Sequence, residues 1–248
     1  PLSPAGAARL EVEARALRSL AGPGVQALVE AGEDAEGPYL VSELVPGALL
    51  SERVLGGPLE DLEVRRIGAA LAATLDRIHR TTWLHGDLAP GNVRLDGTGR
   101  PILLDFGQAG PIDERPVGRG TPAYLSPEEA GGAGKTPAAE AWSLGILLWE
   151  LAAGSHPLAP DGRAQGVPEG AALAGVATPP SIRNPRVSPL LDHWIGELLQ
   201  EDPHDRPALA AVAEALATGG GDGSLASHDD PWAARNSLPL AEIGRAHV

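Results

Sequence analysis

The sequence contains no cysteine and no methionine, a single lysine (Lys135), one phenylalanine and two tyrosines. Without cysteine there are no disulfides, iron–sulfur clusters or thiolate zinc sites, and the redox compartment is left open. Basic residues are scarce, 19 Lys and Arg against 33 Asp and Glu, for a net charge of -14. Nucleic acid and anionic lipid both require clustered cations, so neither is an expected partner of this segment. Long apolar runs are missing as well. The best, from Trp142 to Leu151, is about half the roughly 20 residues of a membrane-spanning helix, and no signal peptide is visible, so a cytoplasmic setting is expected. With no methionine, Pro1 is expected to be an internal residue of a longer protein. The last heptapeptide, Glu242 to Val248, resembles translated adapter sequence and is left out of fold reasoning. What remains is 43% hydrophobic over 248 residues, ample for one large domain or two lobes around a buried core.

Periodicity predicts the elements. Leu10, Ala14, Leu17 and Leu20 share one face of a helix from Arg9 to Leu20, which Gly22-Pro23-Gly24 stops. Two β-like runs, Val25 to Val29 and Tyr39 to Glu43, flank the acidic stretch Glu30 to Pro38 and predict a hairpin. Its charges Glu30, Glu33, Asp34 and Glu36 read as a solvated tip. Val64, Ile67, Leu71, Leu75 and Ile78 form a core-facing stripe between Pro58 and His79. Short strands are expected at 93–95 and 102–104, joined by a turn at Asp96-Gly97-Thr98-Gly99. Ala141 to Ala153 is apolar on nearly every face, which only a buried helix can be. A further helix carries Leu190, Leu191, Trp194, Ile195, Leu198 and Leu199, and another begins near Pro207. Trp142, Trp149 and Trp194 read as packing. The glycine-rich run from Gly219 marks a flexible tail over 218–248.

The chemistry concentrates in His85-Gly86-Asp87-Leu88-Ala89-Pro90-Gly91-Asn92-Val93, followed by Asp105-Phe106-Gly107. Phosphoryl transfer asks little of a protein. One carboxylate orients the attacking hydroxyl and takes its proton, while an amide oxygen and a second carboxylate hold the magnesium ions bridging the phosphates. Asp87, Asn92 and Asp105 are the right groups, and two strands joined by a tight turn would bring Asn92 and Asp105 to the same end. Gly131 to Thr136 looks superficially like a phosphate-binding loop. However, Glu129 stands where that motif needs its first glycine and no strand precedes it. His85 alone is most simply a packed structural histidine.

The pattern resembles the catalytic loop and metal-binding motif of protein kinases, in particular the bacterial-type serine/threonine kinases. The resemblance continues in register through Gly120 to Glu128, similar to the peptide-binding loop, Glu140 to Gly145, similar to the start of the central helix, and Asp202 to Pro207, similar to the late Arg-Pro signature. It implies an α+β, bilobal fold with a partial N-lobe of one helix and a short hairpin (1–45), a complete and mainly helical C-lobe (46–217), and the tail. It implies Asp87 as catalytic base, Asn92 and Asp105 as Mg2+ ligands, and Thr121 as the substrate-loop residue contacting the catalytic loop. Structural roles follow for His85, Glu140 and an ion pair between Glu128 and Arg206. Tyr39 to Gly47 is similar to the hinge, with Ser42 as gatekeeper and adenine against the Glu43 carbonyl and Val45 amide. Glu13 matches the helix glutamate that pairs with a strand lysine. That lysine and the glycine-rich loop would precede Pro1, so the fragment alone is expected to be inactive.

Three positions depart from the family pattern: Gly86 for arginine, Ala89 for lysine and Glu140 for aspartate. Ala89 removes a cation near the transferring phosphate, and one such contact typically contributes about 100- to 1000-fold in rate. With Gly86, and with no Ser, Thr or Tyr from Gln108 to Gly120, the loop is not expected to be switched by phosphorylation. The leading expectation is a protein serine/threonine kinase using ATP and Mg2+ on a protein substrate. Two alternatives stay open, a pseudokinase scaffold and a small-molecule phosphotransferase of the aminoglycoside or choline kinase type. Oligomeric state is not legible.

Overall fold

The computed structural model describes residues 3–35, 37–114, 120–159, 161–168, 170–219 and 231–232. Helix α1 spans Pro4–Leu20, starting earlier than its apolar face predicts because Ser3 caps it, accepting from the Gly6 amide at 3.2 Å, with Pro4 in the first turn. Its buried face is Ala14, Leu17 and Leu20, joined by Ala16. Strands β1 (Leu28–Asp34) and β2 (Gly37–Ser42) pair antiparallel in their own two-stranded sheet, with Asp34 opposite Gly37. The acidic stretch expected to separate the strands is therefore mostly ladder. The largely exposed strand β1 tolerates Glu30, Glu33 and Asp34 because the ladder's hydrogen bonds are backbone ones. Glu36 lies outside the described residues.

After the short helix α2 (Leu50–Val54), α3 (Asp61–Arg80) buries Val64, Ile67, Leu71, Leu75 and Ile78 as its stripe predicts. Strand β3 (Trp83–Leu84) leads into the 85–93 loop, and β4 (Val93–Leu95) pairs with β5 (Pro101–Leu103). The turn between them is tied by Asp96, whose Oδ1 accepts from the Thr98 hydroxyl (2.7 Å) and the amides of Thr98 and Arg100; these bonds hold its carboxyl down to about 2. Strand β6 (Gly110–Pro111) returns to pair with β3. Both ends of the 85–111 segment are thus anchored by short ladders.

Helix α4 (Pro127–Ala130) opens with a capping box between Ser126 and Glu129. Helix α5 (Pro137–Ala153) is capped by Thr136 and buried from Ala139 to Ala152. It packs against α3 on one side and α6 (Pro189–Leu198) on another, and α7 (Leu209–Thr218) closes over α3. Such all-round burial explains why its sequence shows no polar face. Within the segment expected to be a flexible tail, Pro231 and Trp232 lie against α6. Trp232 is buried and donates from Nε1 to the Asp192 carbonyl. Among the described residues no helix is long and apolar enough to cross a membrane.

Candidate active site

The 85–93 loop is built around a backbone feature at Gly86. Its φ is +81°, and a Cβ there would sit 2.2 Å from the carbonyl oxygen of Gln108, so no side chain fits. Below it His85 is fully buried. One ring nitrogen, Nε2, lies 3.0 Å from the Leu104 carbonyl, Nδ1 accepts from the Asp87 amide at 3.2 Å, and the ring packs edge-on against Phe106. The histidine thereby links the Asp87 amide to the carbonyl of Leu104, the residue preceding Asp105.

Asp87 is held from two sides. Its Oδ1 accepts from the amide (2.6 Å) and hydroxyl (2.8 Å) of Thr121, and its Oδ2 accepts from the Asn92 amide nitrogen at 3.1 Å. The same Asn92 nitrogen donates to the Asp87 carbonyl at 2.8 Å, so Asn92 presents its oxygen as the available ligand atom. The Leu104 amide donates to the Asn92 carbonyl, which places Asp105 one residue beyond that bond. Asp87, Asn92 and Thr121 are therefore bonded to one another directly, and the Leu104–Asn92 bond ties the segment leading into Asp105 to the same group.

Asp105 has φ +55°, a left-handed conformation that costs a non-glycine residue about 1–3 kcal/mol. Arg9 of α1 holds it, with one guanidinium nitrogen at 2.6 and 2.9 Å from the two carboxylate oxygens. The bond to Asp105 pushes the Arg9 guanidinium above its ordinary value, and the charges of Glu13 and Asp87 act in the same direction. Glu13, one turn along, hydrogen-bonds the Phe106 backbone. Burial, then the Asp105 charge, push its carboxyl up, against that bond and the Arg9 charge. Arg9, 96 residues from Asp105, had no sequence signal.

Glu140 is buried at the start of α5 and accepts from the Gly86 amide at 2.5 Å and from His79 at 2.6 Å. Burial alone would raise its carboxyl. The bond from His79, the charges of His79 and His85 and the Gly86 amide outweigh it, and the net shift is downward. Arg206 grips Glu128 through both guanidinium arms, at 2.6 and 2.9 Å. It also donates to the carbonyls of Gln200, Ala138 and Glu201 and lies over the Trp142 ring.

Ser42 ends β2 opposite Leu28, and Val45 is half-buried. The Glu43 amide donates to the Ala27 carbonyl, and its own carbonyl accepts from the Gln26 side chain at 2.9 Å, a partner the sequence did not suggest. Gln26 and Gly24 also bond the backbone of Leu103, two residues before Asp105, so Gln26 joins the Glu43 carbonyl to the strand that leads into Asp105. Arg115 to Arg119 lie outside the described residues.

The arrangement has counterparts elsewhere. The protein kinase domain family matches residues 5–217. The DNA damage-responsive serine/threonine-protein kinase RqkA of Deinococcus radiodurans is 36% identical over 60% of this chain and 24% of its own length. PrkC of Bacillus subtilis is 30% identical over 84% of this chain and 33% of its own. PknA of Mycobacterium tuberculosis is 32% identical over 79% of this chain and 47% of its own. The chain thus spans less than half the length of these curated relatives. A loop that fixes an aspartate between a threonine and an asparagine, an Asp-Phe-Gly turn beside it, and a family match across nearly all described residues converge: this chain belongs to the protein kinase domain family, in its bacterial serine/threonine branch.

Proposed function

We propose that this domain transfers the γ-phosphoryl group of ATP to serine or threonine hydroxyls of a protein substrate, with Asp87 as base. The observation that carries the reading is the fixation of Asp87. Two donors from Thr121 and one from Asn92 set the carboxylate's orientation, and its remaining lone pairs are available to an incoming hydroxyl. Thr121 belongs to the loop along which a substrate chain would lie, which couples substrate position to base position.

The donor set suits Mg2+, a hard cation that binds through one or two carboxylates plus substrate phosphates rather than a protein cage. Asp105 already holds a cation, the Arg9 guanidinium, and Asn92 offers an amide oxygen. Those two residues would hold the metal, which when bound neutralises charge developing on the phosphates. Adenine would lie along Ser42, Glu43 and Val45. Residues 1–45 then form the N-lobe part and hinge, 46–217 the C-lobe, and 218–248 a tail beyond it. His85, Glu128, Glu140 and Arg206 are assigned structural roles.

Two observations favour a second reading, a non-catalytic scaffold: Arg9 occupies the Asp105 carboxylate, and Ala89 stands where the family pattern carries a lysine. Labelled ATP separates the two. With the full-length gene product, transfer of label to serine and threonine peptides is expected, and Asp87→Asn is expected to lower it at least about 100-fold while nucleotide binding persists. Nucleotide binding by the wild type without any transfer would establish the scaffold reading instead.

A further inference from the structure

The chain's single lysine is not on the surface. Lys135 is 3% exposed, in the turn between α4 and α5, and its Nζ donates to the Gly86 carbonyl at 2.5 Å. Five residues on, Glu140 takes the Gly86 amide. One short segment, 135–140, therefore grips both faces of the residue preceding Asp87. Position 86 cannot carry a side chain, as the 2.2 Å approach of the Gln108 carbonyl shows, and the nearest side-chain atom to a Cβ there would be Lys135 Nζ at 3.1 Å. Ala89 is buried among apolar residues and supplies no charge. A cavity of about 20 Å³ lies between Gly86, Asp87, Thr121, Glu129, Lys135 and Glu140, room for about one water molecule.

We propose that Lys135 is the positioning residue of the Asp87 loop, the one side-chain ammonium or guanidinium that, among the described residues, holds the Gly86–Asp87 turn in a chain with no side-chain cation at 86 or 89. This rests on the phosphotransfer reading above. The charges facing the ammonium are Glu129 of α4, Glu140 of α5 and Asp87 itself, and behind Glu140 stand His79 of α3 and His85. Burial lowers the ammonium below the ordinary lysine value and the three carboxylates oppose that shift. Removing the cation leaves three carboxylates facing one another and the Gly86 carbonyl without its donor. The loop can relieve this only by moving or by taking up protons.

Two measurements test the proposal. In the full-length gene product, Lys135→Met is expected to lower kcat about 10- to 100-fold with KM for ATP unchanged, because misplacing a catalytic group by about 1 Å costs on that order. The acid limb of the kcat/KM profile is expected to move toward neutral pH, and Lys135→Arg to return the limb toward its wild-type place. A merely structural lysine would lower the amount of folded enzyme and leave the limb where it was; that outcome, or unchanged kcat, overturns the proposal. The second measurement needs no turnover. In 15N-lysine-labelled chain 1–248, Lys135 gives the only side-chain ammonium signal. Slow solvent exchange and a clear shift on Asp87→Asn are expected, whereas exchange like that of free lysine or indifference to Asp87→Asn overturns the clamp. If the wild type transfers no phosphate while this signal behaves as expected, the phosphotransfer reading fails and the clamp stands.

Discussion

The Asp87 side of the site, its floor, and the α1 side, its wall, hold charge in opposite ways. In the floor, Arg206 is 1% exposed in its side chain and makes five hydrogen bonds, Glu140 is buried under two donors, and Lys135 is sealed beneath Gly86. In the wall, the Arg9–Asp105 pair is 47% and 37% exposed. Buried charges strongly penalise any arrangement that unpairs them, so they specify one geometry. An exposed pair contributes at most about 1 kcal/mol and can exchange partners at little cost. The floor is thus suited to holding Asp87 still, and the wall to releasing Asp105 to another cation.

The largest effect that would sharpen this contrast is expected for Arg206→Ala. It strands the half-buried Glu128 carboxylate and three carbonyls, and should lower unfolding free energy by about 3 kcal/mol in urea titrations at neutral pH. The Arg206 bond draws the Glu128 carboxyl below its usual 4.5 in spite of burial. A depressed carboxylate contributes stability that is complete above its unfolded value and lost as pH falls through the folded one. The Arg206→Ala deficit should therefore shrink as pH drops below about 4.5, and a deficit that stays constant as pH falls well below that value would remove the ion pair from the account.

Arg9→Ala should do far less to stability, under about 1 kcal/mol. It should tighten binding of Mn2+ with nucleotide, since Asp105 no longer has to leave an arginine. A stability loss as large as that of Arg206→Ala would break the contrast between floor and wall.

The same division decided what could be read from the sequence. Elements whose burial is periodic were legible, such as α3 with Val64 through Ile78, and α5 by its lack of any polar face. That Asn92 and Asp105 come to the same end of one hairpin was legible because two short segments are joined by the β4–β5 turn. The β1–β2 ladder was underestimated, because the exposed positions of β1 impose no apolar alternation on Glu30, Glu33 and Asp34. Long-range polar partners were legible only where the family resemblance carried them, as for Glu128 with Arg206 and Thr121 with the 85–93 loop, and the others stayed hidden. His79 meets Glu140 across 61 residues and Lys135 meets Gly86 across 49, and no spacing rule connects residues that only packing brings together. The one usable hint was the isolation of Lys135 in a chain otherwise reliant on arginine.

Amide hydrogen exchange tests the division directly. The Gly86 amide, bonded to buried Glu140, and the Thr121 amide, bonded to Asp87, should exchange only through openings close to global unfolding, at least about 100-fold more slowly than the amides of β1 and β2, which fray locally. Exchange at Gly86 and Thr121 as fast as in the β1–β2 ribbon would contradict a floor held rigid by buried charge.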